Sequence, residues 1–113
     1  MEKFVEQGIL YDFYGELLTE HQKKIYEDVV INNYSLAEIA EEYEISRQGV
    51  HDLMKRCDNL LISYENKLHL AQRFLEIKNQ LNILRNRAQD PDITKDELAY
   101  ELMKYTEEIL KEL

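Results

Sequence analysis

The sequence is poor in the residues that build loops. One proline and three glycines among 113 residues exclude a turn-rich fold and a disordered, linker-like chain. A single cysteine, Cys57, excludes an intramolecular disulfide and points to a reducing, cytoplasmic setting. No apolar run approaches the ~18 residues of a membrane span. The opening "MEKFVEQGIL" also lacks the basic and apolar blocks of a signal peptide, so no membrane partner is expected. His21, His51 and His69 are scattered, without HExxH or Cys/His clustering, so neither metal nor cofactor is expected. No carboxylate stands out as half of an acid/base pair, and no enzymatic activity is expected.

Positive charge is also scarce: 14 Lys and Arg face 23 Asp and Glu, a formal net charge of −9. The imbalance is uneven. Residues 1–45 hold 3 basic and 11 acidic side chains, whereas residues 46–65 hold 3 of each. Residues 66–88 hold 5 basic and 1 acidic, and residues 89–113 hold 3 and 8. Any contact with a polyanion should therefore come from the middle of the chain.

What is present is helix-forming sequence with apolar residues at helical spacing, so the fold class is all-α. A first helix over 2–17 has Phe4, Val5, Ile9, Phe13 and Leu17 as its apolar face, widened by Tyr11 and Tyr14. "TEHQ", "SLAE" and "TKDE" have capping-box form and predict helices starting after Thr19, Ser35 and Thr94. The Asn32-Asn33 pair suits the end of the second helix, because Asn tolerates a left-handed backbone. A fourth helix begins at Arg47 behind the cap Ser46 and meets no breaker before Asp90-Pro91, with room for a bend between Ile62 and Leu70. The expected organisation is a helical domain over 1–66 and a helical arm over 67–113, turning near 90–93.

The stretch "YSLAEIAEEYEISRQGVHDLMKR", residues 34–56, has the form of a helix-turn-helix. Such a motif needs a small residue where two helices cross, apolar contacts on fixed turns and a capped second helix able to enter the major groove. Ser35, Ile39, Ala40, Ile45, Val50 and Leu53 supply the scaffold. Ser46, Arg47, Gln48, His51 and Lys55 are left as the candidate DNA-binding residues, with Arg and Gln suited to guanine and adenine edges. Two features run against the pattern. Glu44 stands in a turn where glycine is common, and Asp52 puts a carboxylate on the reading face. Gly49 inside the helix costs roughly 0.5–1 kcal/mol relative to Ala, a choice explained either by a close approach or by neutral drift.

"LTEHQKKIYEDVVINNYSLAEIAEEYEISRQGVHDLMKR" resembles the −35-reading domain of bacterial sigma factors, in its L-T-x-x-Q start, S-L-x-E-I-A scaffold helix and I-S-R turn. Over nearly its whole length the chain is similar to the YlxM-like family of small helix-turn-helix proteins of Gram-positive bacteria. That resemblance implies duplex DNA as partner and a regulatory role. It also implies a link to the signal recognition particle pathway, through neighbouring genes. The sigma-like motif assigns base or phosphate contact to Arg47, Gln48, His51 and Lys55. Sigma recognition helices usually carry a Glu after the Arg, where this chain has Gln48, so the −35 preference is not carried over. A second possibility is an interaction module that has given up DNA and offers its acidic faces to a component of the signal recognition particle or to RNA polymerase.

Beyond the motif, Leu70, Phe74, Ile77, Leu81, Leu84 and Ala88 form an a/d seam of nearly three heptads. Its partner is either the last helix folding back or the same helix of a second subunit, which makes a homodimer an expected state. Lys67, Arg73, Lys78, Arg85 and Arg87 lie mostly off the seam. They suit either phosphate or the acidic last helix, with the short turn favouring the latter.

Overall fold

A computed structural model describes residues 2–113, and its order follows from where helices can start. Helix α1 (Lys3–Tyr14) runs into a short 3-10 turn at Gly15–Leu17. It is followed by α2 (Glu20–Val30), α3 (Leu36–Tyr43), α4 (Arg47–Leu68), α5 (Leu70–Ala88) and α6 (Lys95–Glu112). Among the described residues there is no strand, and the protein is all-α. Thr19, Ser35 and Thr94 each accept the N3 backbone N–H of their helix. Gln22, Glu38 and Glu97 reach back to the cap N–H, which closes all three boxes. Asn33 does adopt the left-handed conformation, at φ 60°.

The chain divides into two compact units, one ending at Ala71 and the other spanning Gln72–Leu113. The first has a core in which Ile25, Tyr26, Ile39, Val50, Cys57 and Leu61 are wholly buried. Burying each large aliphatic of this kind contributes about 1.5–3 kcal/mol. The face that α1 gives to this core differs in part from the expected one. Tyr11 and Tyr14 are buried and Ile9 and Phe13 pack against the core, as expected, but Gln7 and Leu10 are also buried, while Phe4, Val5 and Leu17 are exposed. Tyr11 and Tyr14 of α1 and Tyr26 of α2 are core residues, with their hydroxyls carried to carboxylates on neighbouring helices. Tyr11 donates to Glu27 and Tyr26 to Asp58, at 2.5 and 2.6 Å, and Tyr14 donates to Glu65 at 2.5 Å. Burial first, and then these carboxylates, push all three phenols above their ordinary range. Gly15 is required beside Tyr11, since a Cβ there would lie 2.7 Å from the ring. Burial, and then the charge of Asp58, push the Cys57 thiol up to about 11, so it packs as a small apolar group.

The long fourth helix ends at His69, whose backbone is left-handed at φ 56°. No breaker residue marks this point. The Tyr14 hydroxyl accepts from the Leu70 N–H at 3.1 Å, and the Glu65 carboxylate accepts from the Ala71 N–H at 3.1 Å. These two groups take up backbone donors that the first turn of α5 leaves open.

The second unit pairs the remainder of α5 with α6 as a helical hairpin. Arg87 Nε lies 3.0 Å from both Glu101 oxygens, and its Nη1 lies 3.2 Å from Asp90. Gln80 donates to Glu108 at 2.9 Å, and Arg73 approaches Glu112 at 3.9 Å. No residue of this unit is buried. Along the seam, Leu70, Phe74 and Leu81 are exposed and Ile77 and Leu84 half-buried.

Candidate nucleic-acid interface

The helix-turn-helix is built from α3, the turn Glu44–Ser46 and the first turns of α4. Ile39 and Val50 are completely buried where the two helices meet, and Ala40 is buried beside them. Leu53 is partly buried against the same core, and Ile45 in the turn is 38% exposed. Ser35 closes the capping box of α3. The tight turn is a hydrogen-bond arrangement around Glu44, which is left-handed at φ 55° and ψ 43°. Its N–H donates to the Ala40 and Glu41 carbonyls, and the Ile45 N–H donates to Ala40 at 3.0 Å. The carbonyls left open by the end of α3 are thereby satisfied. A non-glycine residue here bears the left-handed penalty of roughly 1–2 kcal/mol.

Ser46 caps α4, its Oγ accepting from the Gly49 N–H at 2.9 Å. The cap also bears on Gly49: a Cβ there would lie 3.1 Å from that same Oγ. The close approach is thus made by the chain's own cap. With glycine at the third helical position, this helix also has no acid in its first turn, whereas α2, α3 and α6 each carry at least one. The partial positive charge of the α4 N-terminus is therefore left open to an anion.

Arg47, Gln48, His51 and Lys55 are all exposed and share one face of α4. Arg47 and Lys55 form no ion pair among the described residues, and neither does Arg56, an exposed neighbour that the motif comparison passes over. Arg87 and Arg73 of the hairpin, by contrast, face carboxylates of α6. Asp52 does more than sit among the cations. Its Oδ1 accepts from Gln48 Nε2 at 2.9 Å and lies 3.7 Å from His51 Nδ1. The amide donor that would read a base edge is thus already engaged. The i, i+4 spacing of Gln48 and Asp52 is a signal that could have disclosed this.

A buried polar cluster behind this face has no counterpart in the sequence reading. Gln7, 8% exposed, places Nε2 at 2.9 and 3.0 Å from the two Asp58 oxygens, and Asp58 also accepts from Tyr26. Gln7 Oε1 is left without a hydrogen-bond partner among the described residues, a condition that costs about 1–3 kcal/mol. No group of three or more His, Cys, Asp or Glu suited to a metal occurs among the described residues. None of the described helices is long and apolar enough to cross a membrane.

Residues 1–101 match the family described as "UPF0122: Putative helix-turn-helix protein, YlxM / p13 like". A UPF0122 protein of Thermoanaerobacter sp. (strain X514) is 44% identical over 110 residues, covering 89% of this chain and 94% of the relative. UPF0122 protein YlxM of Bacillus subtilis (strain 168) is 44% identical over 88 residues, covering 78% and 80%. One from Geobacillus sp. (strain WCH70) is 38% identical over 109 residues, covering 96% and 98%. With its capped α3 and α4 meeting across the Glu44 turn, the chain belongs to the UPF0122, or YlxM / p13-like, family of helix-turn-helix proteins.

Proposed function

We propose that the protein binds duplex DNA in the major groove through the first turns of α4 and acts in the cytoplasm as a regulator. The observation that carries this reading is the start of α4. Among the helices with a Ser or Thr cap, it alone lacks an acid in its first turn, and the cations that follow, Arg47 and Lys55, are exposed and form no ion pair among the described residues. Ser46 and the helix N-terminus suit a phosphate, Arg47 a guanine edge, and Lys55 the flanking backbone. Gln48 joins them only when Asp52 releases it. So few cations on a chain of net charge −9 predict modest affinity that falls steeply with salt.

The reading includes a homodimer. The hairpin exposes Leu81, Ile83, Leu102, Met103 and Leu110 and buries nothing, and two such hairpins make the four-helix arrangement that covers apolar seams. A two-fold pair would also set two recognition helices on half-sites one helical turn apart. Sedimentation as a monomer at micromolar concentration contradicts this part.

A second reading is favoured by α3, whose Glu38, Glu41 and Glu42 are exposed: a basic protein, such as a signal recognition particle or RNA polymerase component, docks there instead of DNA. Anisotropy titration against random duplex pools at two salt concentrations separates the two. DNA binding predicts a low-salt complex weakened roughly tenfold or more by Arg47→Ala. Absence of any Arg47-dependent complex at low salt removes the DNA reading.

A further inference from the structure

Behind the reading face, the first unit holds a cavity of about 620 Å³ between α1, the α2–α3 connection and α4. That is the size of a site for a small organic ligand. Phe4, Val29, Tyr34, Leu36 and Met54 give it apolar walls. The titratable groups around it are Lys3 from α1, Tyr34 from the α2–α3 connection, and His51, Lys55 and Asp58 from α4. Asp58 is engaged by Tyr26 and Gln7, whereas Lys3 and Lys55 are exposed and without ion pairs among the described residues. Gln7 also lines the cavity, nine-tenths buried, with its Oε1 unpartnered.

We infer that this cavity binds a small aromatic or branched organic anion. The apolar walls hold the body, and Lys3 and Lys55 hold the carboxylate or sulfonate. The site stands on its own, but its regulatory consequence rests on the DNA reading. His51 and Lys55 line the cavity and also belong to the reading face, so an occupied cavity withholds them from phosphate and lowers DNA affinity.

The test uses 8-anilinonaphthalene-1-sulfonate, which has an aryl body and one sulfonate. Its uncharged parent, N-phenyl-1-naphthylamine, serves as the comparison. The full-length protein should bind the sulfonate saturably, one per chain, and about tenfold more tightly than the parent, as a partly desolvated charge contact implies. Lys3→Glu with Lys55→Glu, both at exposed positions, should erase that preference without shifting the melting temperature. Met54→Trp, which fills the cavity, should remove binding of both dyes. Should it unfold the protein, the charge variants carry the test. Equal affinity for the two dyes, or a preference that survives the double variant, overturns the proposal. So does loss of dye binding in Leu81→Glu, which would place the dye on the hairpin. Saturating sulfonate should also weaken duplex binding about fivefold at low salt, as loss of a cationic contact to phosphate implies. If the protein binds no duplex at all, the DNA reading fails and the dye result stands unaffected.

Discussion

Helices α3 and α4 begin alike and end up serving different ends. Both are introduced by a serine whose Oγ accepts the N3 backbone N–H, at 3.1 Å for Ser35 and 2.9 Å for Ser46. At N3 itself they part. Glu38 returns a hydrogen bond to its cap and neutralises the start of α3, whereas Gly49 returns nothing and leaves α4 with Arg47 and no acid. A helix used only as scaffold gains from the full box. A helix meant to receive a phosphate gains from the missing carboxylate, since an acid there would repel the ligand. On the proposed reading, the weaker cap stands where phosphate would bind.

Cutting each cap in turn separates scaffold from interface. Ser35→Ala and Ser46→Ala should each lower unfolding free energy by about 1 kcal/mol in urea titration. Only Ser46→Ala should also lower duplex affinity, by about fivefold, because the first turn of α4 frays where it meets phosphate. Equal effects on DNA from both serines would dissolve the contrast. Asp52→Ala should act in the opposite sense, since it frees Gln48 and removes a negative charge from the face. Anisotropy should show affinity rising about threefold at low salt, with the gain shrinking as salt is added. Smallest is Glu44→Gly, which relieves the left-handed turn between the two helices. It should raise stability by about 0.5–1 kcal/mol, and the loss of one exposed carboxylate should raise low-salt duplex affinity by less than Asp52→Ala does.

Short-range rules made much of this fold legible. The three capping boxes, the Ser46 cap, the Asn33 helix end and the burial of Ile39, Ala40 and Val50 depend on residues a few positions apart. What stayed hidden was set by residues far apart. The break at His69 is held by Tyr14, 56 positions from Leu70. The Gln7–Asp58 bond spans 51 positions, and nothing in the periodicity of α1 marks a glutamine as core. The exposure of Phe4 and Val5 on α1 has the same cause. Phe4 and Val5 are more apolar than Tyr11 and Tyr14, but only the tyrosines have hydroxyls that reach carboxylates on other helices. On the candidate interface, Arg47, Gln48, His51 and Lys55 share an exposed face of α4. The bond between Asp52 and Gln48 was open to the i, i+4 rule, whereas the closeness of Gly49 to its own cap needs the three-dimensional arrangement.

The central claim is that the open start of α4 is the DNA site, and Gly49→Glu tests it most directly by giving α4 the box that α3 has. Thermal melting and duplex anisotropy would be measured on the same preparations of wild type and variant. The account predicts an unchanged or higher melting temperature together with at least about a tenfold loss of low-salt DNA affinity, as expected for a carboxylate placed against phosphate. A variant that keeps its stability and binds duplex as tightly as wild type would contradict it.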